Sequence, residues 1–379
     1  MGVIAACSYQ NVGGGSGGAG SADLGAAGGT AGGGGKGSGG TSAAGGPTGG
    51  GAGGGIMAKG GASGSDSPGS GGSASKDAPA SSDGRSACGT EKWVQTNWPA
   101  GSDYFRLYTG SDQIFARTWD ATNGGRTFRT SDEGATWTQV GSADTDMDIL
   151  SVAVSNDHVL AGTWNDLCQS EPGGTSFSSL APSGIPADTA IWSLASIDTT
   201  LLAGTREDVY RSADNGATWT ELKSGIPTNA IITALVAASE NCILAGTDGS
   251  GVLSLANSGA AWETGDATLG NAYINQFVAL GTRQFAVTPD GVFVSSDDGS
   301  TWVADASGLK NVNCLLANDG RLWAGTDDGG VYLSTDAGGT WDSFNAGMPD
   351  DIRVWSLAAT RENVFAGTSS GIWRVTCGQ

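Results

Sequence analysis

Positive charge and histidine are what this 379-residue chain has least of. It carries 18 Lys and Arg against 38 Asp and Glu, a net charge of -20, and a single histidine, His158. So acidic a balance argues against a nucleic-acid partner, which needs a basic face, and against direct adhesion to anionic lipid. It suits a self-repelling surface whose charged partners are cationic. With one histidine, placed just before Val159 at a turn, neither a Ser-His-Asp arrangement nor a His/Cys metal cluster has support. No run of residues is long and apolar enough for a transmembrane helix.

Apolar periodicity is missing altogether from residues 8–86, which are almost wholly Gly, Ala, Ser and Thr. Such a segment cannot bury enough surface to offset its ordering entropy. It is expected to be a disordered linker with a root-mean-square span of about 50 Å. Its charges cancel, Asp23, Asp66, Asp77 and Asp83 against Lys36, Lys59, Lys76 and Arg85, so the net charge belongs to the remainder. Ahead of it, Ile4-Ala5-Ala6-Cys7 resembles the bacterial lipobox, which implies lipidation of Cys7 and an extracytoplasmic, tethered domain. Only six residues precede Cys7, fewer than the apolar stretch of about 7–15 that a signal peptide uses. The alternative is an ordinary cysteine on a flexible end. The expected organisation is therefore 1–7, a truncated lipobox signal; 8–86, linker; and 87–379, a folded domain.

What the domain does have is a recurring octapeptide. It reads Thr130-Ser131-Asp132-Glu133-Gly134-Ala135-Thr136-Trp137, and returns at 212–219, 295–302 and 334–341. Two worn copies end at Ser176 and Trp262, with Glu171 and Asn257 in the Asp position. Successive copies lie 39, 43, 43, 40 and 39 residues apart. A period near 40 built on short strands and Gly turns marks a propeller or solenoid.

A second landmark is an apolar pair followed by Ala-Gly-Thr, ending at Thr163, Thr205, Thr247, Thr326 and Thr368, with variants Phe115-Ala116-Arg117-Thr118 and Phe285-Ala286-Val287-Thr288. Apolar runs precede and follow each one, and the octapeptide leads into a further strand at its Trp. Four strands in each of seven units describe an all-β, seven-bladed β-propeller. The last unit stops after its third strand, and Lys92-Trp93-Val94-Gln95-Thr96 near the front resembles the missing fourth. A ring closed by strands from both termini leaves no open edge. Cys88 and Cys377 then occupy the same turn of one split repeat, and a disulfide between them is expected, with Cα atoms about 4.4–6.8 Å apart. That pairing implies an oxidising compartment. Cys168, Cys242 and Cys314 read as small buried hydrophobes.

The Ser/Thr-x-Asp-x-Gly-x-Thr-Trp string resembles the Asp-box, or bacterial neuraminidase repeat, of sialidases, xyloglucan hydrolases, sortilin-type receptors and the assembly factor of photosystem II. The resemblance implies the fold and leaves the activity open, since these families do unrelated things on one scaffold. In the octapeptide, Asp can accept backbone N–H groups across a tight turn, Gly supplies positive φ, and Trp offers a large face to pack between blades. Asp132, Asp214, Asp297 and Asp336, with Trp137, Trp219, Trp302 and Trp341, are expected to be structural.

Any ligand is then expected on the face opposite the octapeptides. The turns between second and third strands carry Trp119, Asp120, Trp164, Asp166, Arg206 and Glu207, and the crossovers between blades carry Tyr104, Asp188, Tyr273, Lys310, Asp350 and Asp351. Candidate ligand-binding residues are Tyr104, Arg106, Trp119, Asp120, Trp164, Asp166, Arg206, Glu207 and Arg353, since rings stack on sugar faces and carboxylates take hydroxyls. No catalytic residue and no cofactor are assigned. Calcium on Asp144, Asp146 and Asp148 is weighed, although the run lacks the spacing and Gly of an EF-hand. Tyr104-Phe105-Arg106-Leu107 is similar to the aromatic-Arg-Ile-Pro start of sialidases without its Pro, and no Tyr–Glu nucleophile pair is placed to serve. The resulting expectation is a monomeric, non-catalytic binding propeller for a glycan or protein. A glycoside hydrolase of sialidase-like type is the second reading, because the rim offers many carboxylates. An assembly factor like that of photosystem II is the third.

Overall fold

The computed structural model describes residues 91–377 except 100–104, 111, 121–123, 143–144, 147, 156–157, 172–175, 198–199, 240 and 257–260. The expected segments 1–7 and 8–86, with Cys7, and also Cys88, Tyr104 and Asp144, lie outside the described residues. Seven four-stranded antiparallel sheets follow one another along the chain, with a small two-stranded ribbon, Gly141–Ser142 and Thr145–Asp146, as an addition. The described residues otherwise hold little but strand, apart from a 3-10 turn at Ala267–Leu269 capped by Asp266.

The first strands of the sheets are Phe105–Gly110, Ser151–Ser155, Ser193–Ile197, Ile232–Ser239, Gln276–Leu280, Val312–Asn318 and Val354–Ala359. Each touches the next and the last touches the first, so the seven blades close into a ring. Because each blade is sandwiched between two others, its second strand is apolar on both faces: Leu201, Leu202 and Ala203 are all buried. The hydrophobic core is accordingly a set of clusters at the seams between blades. One joins Leu160 and Leu167 of blade 2 to Leu201, Ala203 and Trp219 of blade 3.

The Ala-Gly-Thr landmark follows from this geometry. A polar side chain on each first strand reaches across the seam to a backbone carbonyl of the next blade. Ser151, Ser193, Thr233, Gln276, Asn313 and Ser356 donate to Ile191, Ile232, Ile274, Leu315, Val354 and Phe105 at 2.6–3.1 Å. Tyr108 does so at the remaining seam, to Leu150 at 2.8 Å. The Gly lies directly beneath that contact: a Cβ on Gly367 would stand 2.8 Å from Phe105 Cβ and 2.9 Å from Ser356 Oγ. The Thr closes the following turn, as when Thr205 Oγ1 donates to the Asp208 carbonyl at 3.0 Å and Thr368 Oγ1 to that of Gly371 at 2.7 Å.

The octapeptide is a tight turn with two successive left-handed residues, the non-glycine before the Gly as well as the Gly itself: Glu133 and Gly134 (φ 55° and 80°), Asn215 and Gly216 (60° and 91°). That pairing of positive φ values characterises a type I′ hairpin turn. The Asp132 Oδ1 accepts from Thr136 N at 2.8 Å and from Thr130 Oγ1 at 2.8 Å, while Oδ2 accepts from Thr136 Oγ1 at 2.6 Å. The same bonds recur around Asp214, Asp297 and Asp336. Donors aimed at an ionised carboxylate favour that form. The Thr218 hydroxyl and N–H hold Asp214 down to about 2, and the Thr340 N–H with the Ser334 hydroxyl does the same for Asp336. The fourth strand begins one residue after the Trp rather than at it, for example Thr220–Glu221 after Trp219, because the indole is turned inward against the preceding blade. In blade 2 the Trp position is Ser176, and Phe177 packs edge-on to Phe115 of blade 1 at 5.9 Å instead.

Closure takes the expected form. Val94–Gln95 pairs antiparallel with Gly371–Thr376, Val94 opposite Arg374 and Gln95 opposite Trp373. Beyond it, Trp98 packs edge-on against Phe105, Phe128 and Trp137 of blade 1. Glu133, on blade 1, accepts from Thr360 Oγ1 at 3.1 Å and Asn363 Nδ2 at 2.9 Å on blade 7. Among the other cysteines, Cys168 and Cys314 are buried as expected, and burial pushes the Cys168 thiol up to about 11; Cys242 is only half-buried.

Candidate functional site

Antiparallel winding places the octapeptide turns on one face of the ring. The turns between second and third strands, and the crossovers between blades, occupy the other. Trp164, in such a turn on blade 2, is 43% exposed. Its indole Nε1 donates to Asp148 Oδ2 at 2.8 Å, and its ring stands edge-on to Trp192 at 4.9 Å. Asp148 also accepts both from Nε of Arg117 and, at 3.0 Å, from its Nη2. Arg117 occupies the position that other blades give to the Gly of Ala-Gly-Thr, so its buried guanidinium needs a local counter-charge. That arrangement commits Asp148 to Arg117 and Trp164. Among the described residues no group of His, Cys, Asp or Glu is arranged to hold a metal ion.

The structure corrects one site residue outright. Arg106 is not on the rim: it lies inside the innermost strand Phe105–Gly110, opposite Arg117, and is 5% exposed. The alternation of that strand aims it into the packing between blades. Trp119 and Asp120 end the strand Gln113–Asp120, and their side chains are outside the description. Asp166 closes its own loop, Oδ1 accepting from Leu167 N at 2.8 Å, and Glu207 Oε1 ties its turn to the crossover between blades 3 and 4, accepting from Asn229 N at 2.7 Å. Arg206 is exposed. Arg353 pairs with Asp327 at 3.0 Å and lies 4.7 Å over the Trp355 ring. No described hydrogen bond, ion pair or ring contact joins Trp164, Asp166, Arg206, Glu207 and Arg353 to one another; they belong to blades 2, 3 and 7 and do not converge.

What the face does contain is an open cleft of about 580 Å³ between blades 5 and 6. Tyr273, Asn275, Asp290, Lys310, Asn313 and Asp327 line it. Asn313 Nδ2 donates to Asp327 Oδ1 at 2.8 Å and to the Val354 carbonyl at 3.0 Å, so this wall is tied to blade 7 and, through Asp327, to Arg353. Lys310 and Asp290 are both exposed at the mouth. Tyr273 and Lys310 were legible as crossover residues. Asn275 and Asn313 were missed because amides inside otherwise buried runs carry no composition signal.

A family model described as the DUF6242 beta propeller domain matches residues 159–272 and 256–363, together more than half of the chain. No curated protein matches it. Among solved structures, one described as YCF48 bound to D1 peptide is similar at 15% identity and TM-score 0.58, covering 76% of this chain and 97% of that one. YCF48 from Cyanidioschyzon merolae is similar at 15% identity and TM-score 0.52, covering 75% and 98%. The extracellular domain of the putative one component system BT4673 from B. thetaiotaomicron is similar at 19% identity and TM-score 0.57, covering 75% of this chain and 39% of that one. The chain thus spans about two fifths of the BT4673 chain. At such identities these likenesses speak to the fold alone.

Proposed function

The chain belongs to the DUF6242 beta propeller family, and from that premise we propose that it is a non-catalytic binding propeller for a protein partner, held on the face opposite the octapeptide turns. The observation that carries this reading is the cleft between blades 5 and 6, which is large enough for a peptide segment and lined by amide, hydroxyl and charged groups. A structural neighbour bound to a peptide supports it. The net charge of -20 favours a basic partner through long-range attraction. Binding of fluorescein-labelled decapeptides to the full chain, read by anisotropy, tests it. Saturable binding that weakens with salt is expected; a library in which no peptide binds overturns it.

A glycan is the second reading, favoured by Trp164, whose exposed ring is fixed by Asp148 and Trp192 and so is ready to stack on a sugar face. Titration with soluble oligosaccharides, followed by tryptophan fluorescence, separates the two. In this proposal the octapeptides are Asp-boxes, and the domain works outside the cytoplasm on its Gly/Ser-rich tether, anchored through Cys7. An extracellular domain among the structural neighbours supports that location. The Cys88–Cys377 disulfide belongs to the same proposal. Cys377 directly follows the last strand, its N–H on the Glu362 carbonyl at 2.9 Å, in the blade that the N-terminal strand completes. Non-reducing peptide mapping should recover the 88–377 cross-link, and finding both thiols alkylated in protein from an oxidising compartment would remove it.

A further inference from the structure

Asn275 is the group on the binding face whose surroundings leave it incomplete. It closes the crossover between blades 4 and 5 and starts the seam of blade 5, with its backbone N–H on the Val287 carbonyl at 2.8 Å. The residue is 4% exposed and lines the cleft. No described residue hydrogen-bonds its side-chain amide. The contrast with its neighbours is sharp. Gln276 donates to the Leu315 carbonyl at 2.9 Å and accepts from the Leu315 N–H at 3.0 Å, spanning the seam. Asn313 uses its amide on Asp327 and Val354. The Thr288 hydroxyl is spent on the Gly291 carbonyl at 2.9 Å. Of the buried amides around the cleft, Asn275 alone offers a donor and an acceptor with no use inside the fold.

Neither amide atom is among the buried side-chain atoms that lack a partner, so the carboxamide opens to the cleft, and a segment seated over it without pairing to it would lose affinity. A polar group retained there points to a ligand that completes it. A carboxamide presents an N–H and a carbonyl side by side, which matches the N–H and carbonyl of one peptide group in an extended chain. The charges at the mouth give the sign of the rest. Asp327 is paired with Arg353 and hydrogen-bonded by Asn313, leaving exposed Asp290 to accept from a basic side chain and exposed Lys310 to oppose one.

We propose that the cleft between blades 5 and 6 seats an extended basic peptide segment, with one of its peptide groups paired to the Asn275 carboxamide and a basic side chain beside Asp290. This inference rests on the protein-binding reading above and names its site.

The test uses the full chain and the tightest decapeptide from the labelled library. Asn275→Leu should weaken its binding about tenfold or more while leaving the thermal midpoint within about 2 °C. A side chain with a purely structural role would lower that midpoint further. Asp290→Lys should weaken binding and Lys310→Glu should tighten it, each effect shrinking at high salt. If the peptide binds but Asn275→Leu and Asp290→Lys leave its affinity unchanged, the site assignment fails and the protein-binding reading stands. If Asn275→Leu lowers the midpoint beyond that range, or Lys310→Glu weakens binding, the proposed chemistry is overturned. If no peptide binds the wild-type chain, the failure lies with the functional reading itself.

Discussion

The backbone N–H of Trp93 donates to the Ala346 carbonyl at 2.8 Å, across the whole folded domain. The bond repeats one made inside the chain by Trp219 to Ser183 and by Trp262 to Ser224, each also at 2.8 Å. A Cβ on Gly347 would collide with the Trp93 carbonyl, just as one on Gly184 or Gly225 would collide with that of Trp219 or Trp262. The N-terminal strand therefore takes the place of a repeat's own fourth strand down to the atoms it touches.

Trp93 is 2% exposed and packs edge-on to Trp323 and Phe344. Trp93→Ala should destabilise the domain by about 3–5 kcal/mol, since it empties the seam between blades 6 and 7 and loosens closure at once. Urea denaturation checks it. A loss below about 1 kcal/mol would mean that the N-terminal strand does little to hold the ring.

The seam model separates two glycines. Gly367→Ala places a methyl between Ser356 and Phe105, and should cost about 1–3 kcal/mol by overpacking. Gly320 has φ 71° with open space around it, so Gly320→Ala should cost only the backbone strain of about 1 kcal/mol. Melting temperatures of the two variants should rank accordingly.

Acid should undo the octapeptide turns. Asp214 and Asp336 are held at about 2, below the usual carboxylate range. A depressed folded-state value contributes stability that is present above the unfolded value and is lost as pH falls through the folded one. The melting temperature should therefore drop between about pH 4 and pH 2 for this reason. An Asp214→Asn, Asp336→Asn double variant should start lower at neutral pH and lose less across that window. An unchanged acid slope would show that these turns do not set it.

Asp148→Asn tests the fixed aromatic. Removing the carboxylate takes the counter-charge from Arg117, whose side chain is 8% exposed, and breaking such a buried pair costs about 3 kcal/mol. It also frees the Trp164 indole, so acrylamide quenching of tryptophan fluorescence should rise. In the Asp148→Asn background, Trp164→Ala should abolish that rise and leave the loss of stability in place.

Much of the fold was readable because its evidence is local. Asp132, Gly134 and Trp137 recur with fixed spacing, and the incomplete last unit pointed to Trp93 as its missing strand. The candidate site was less legible. Trp164 is exposed as its turn position implied, but Arg106 lies already inside the strand Phe105–Gly110, where a one-residue change of register turns a side chain from one packed face to the other. Arg117 looked like wear in the Ala-Gly-Thr landmark, and only its contact with Asp148 explains it.

Blade number, blade order and the identity of the turn residues are properties of the sequence by itself, because a repeat of about 40 residues writes the same short-range hydrogen bonds and the same buried aromatic again and again. Which side chains meet across a seam, which carboxylate is already neutralised, and which amide is left facing a cleft were decided only by the tertiary structure. Those relationships join residues tens to hundreds of positions apart, Asn313 to Val354 and Ser356 to Phe105, and distance in space between blades leaves no trace in the spacing along the chain.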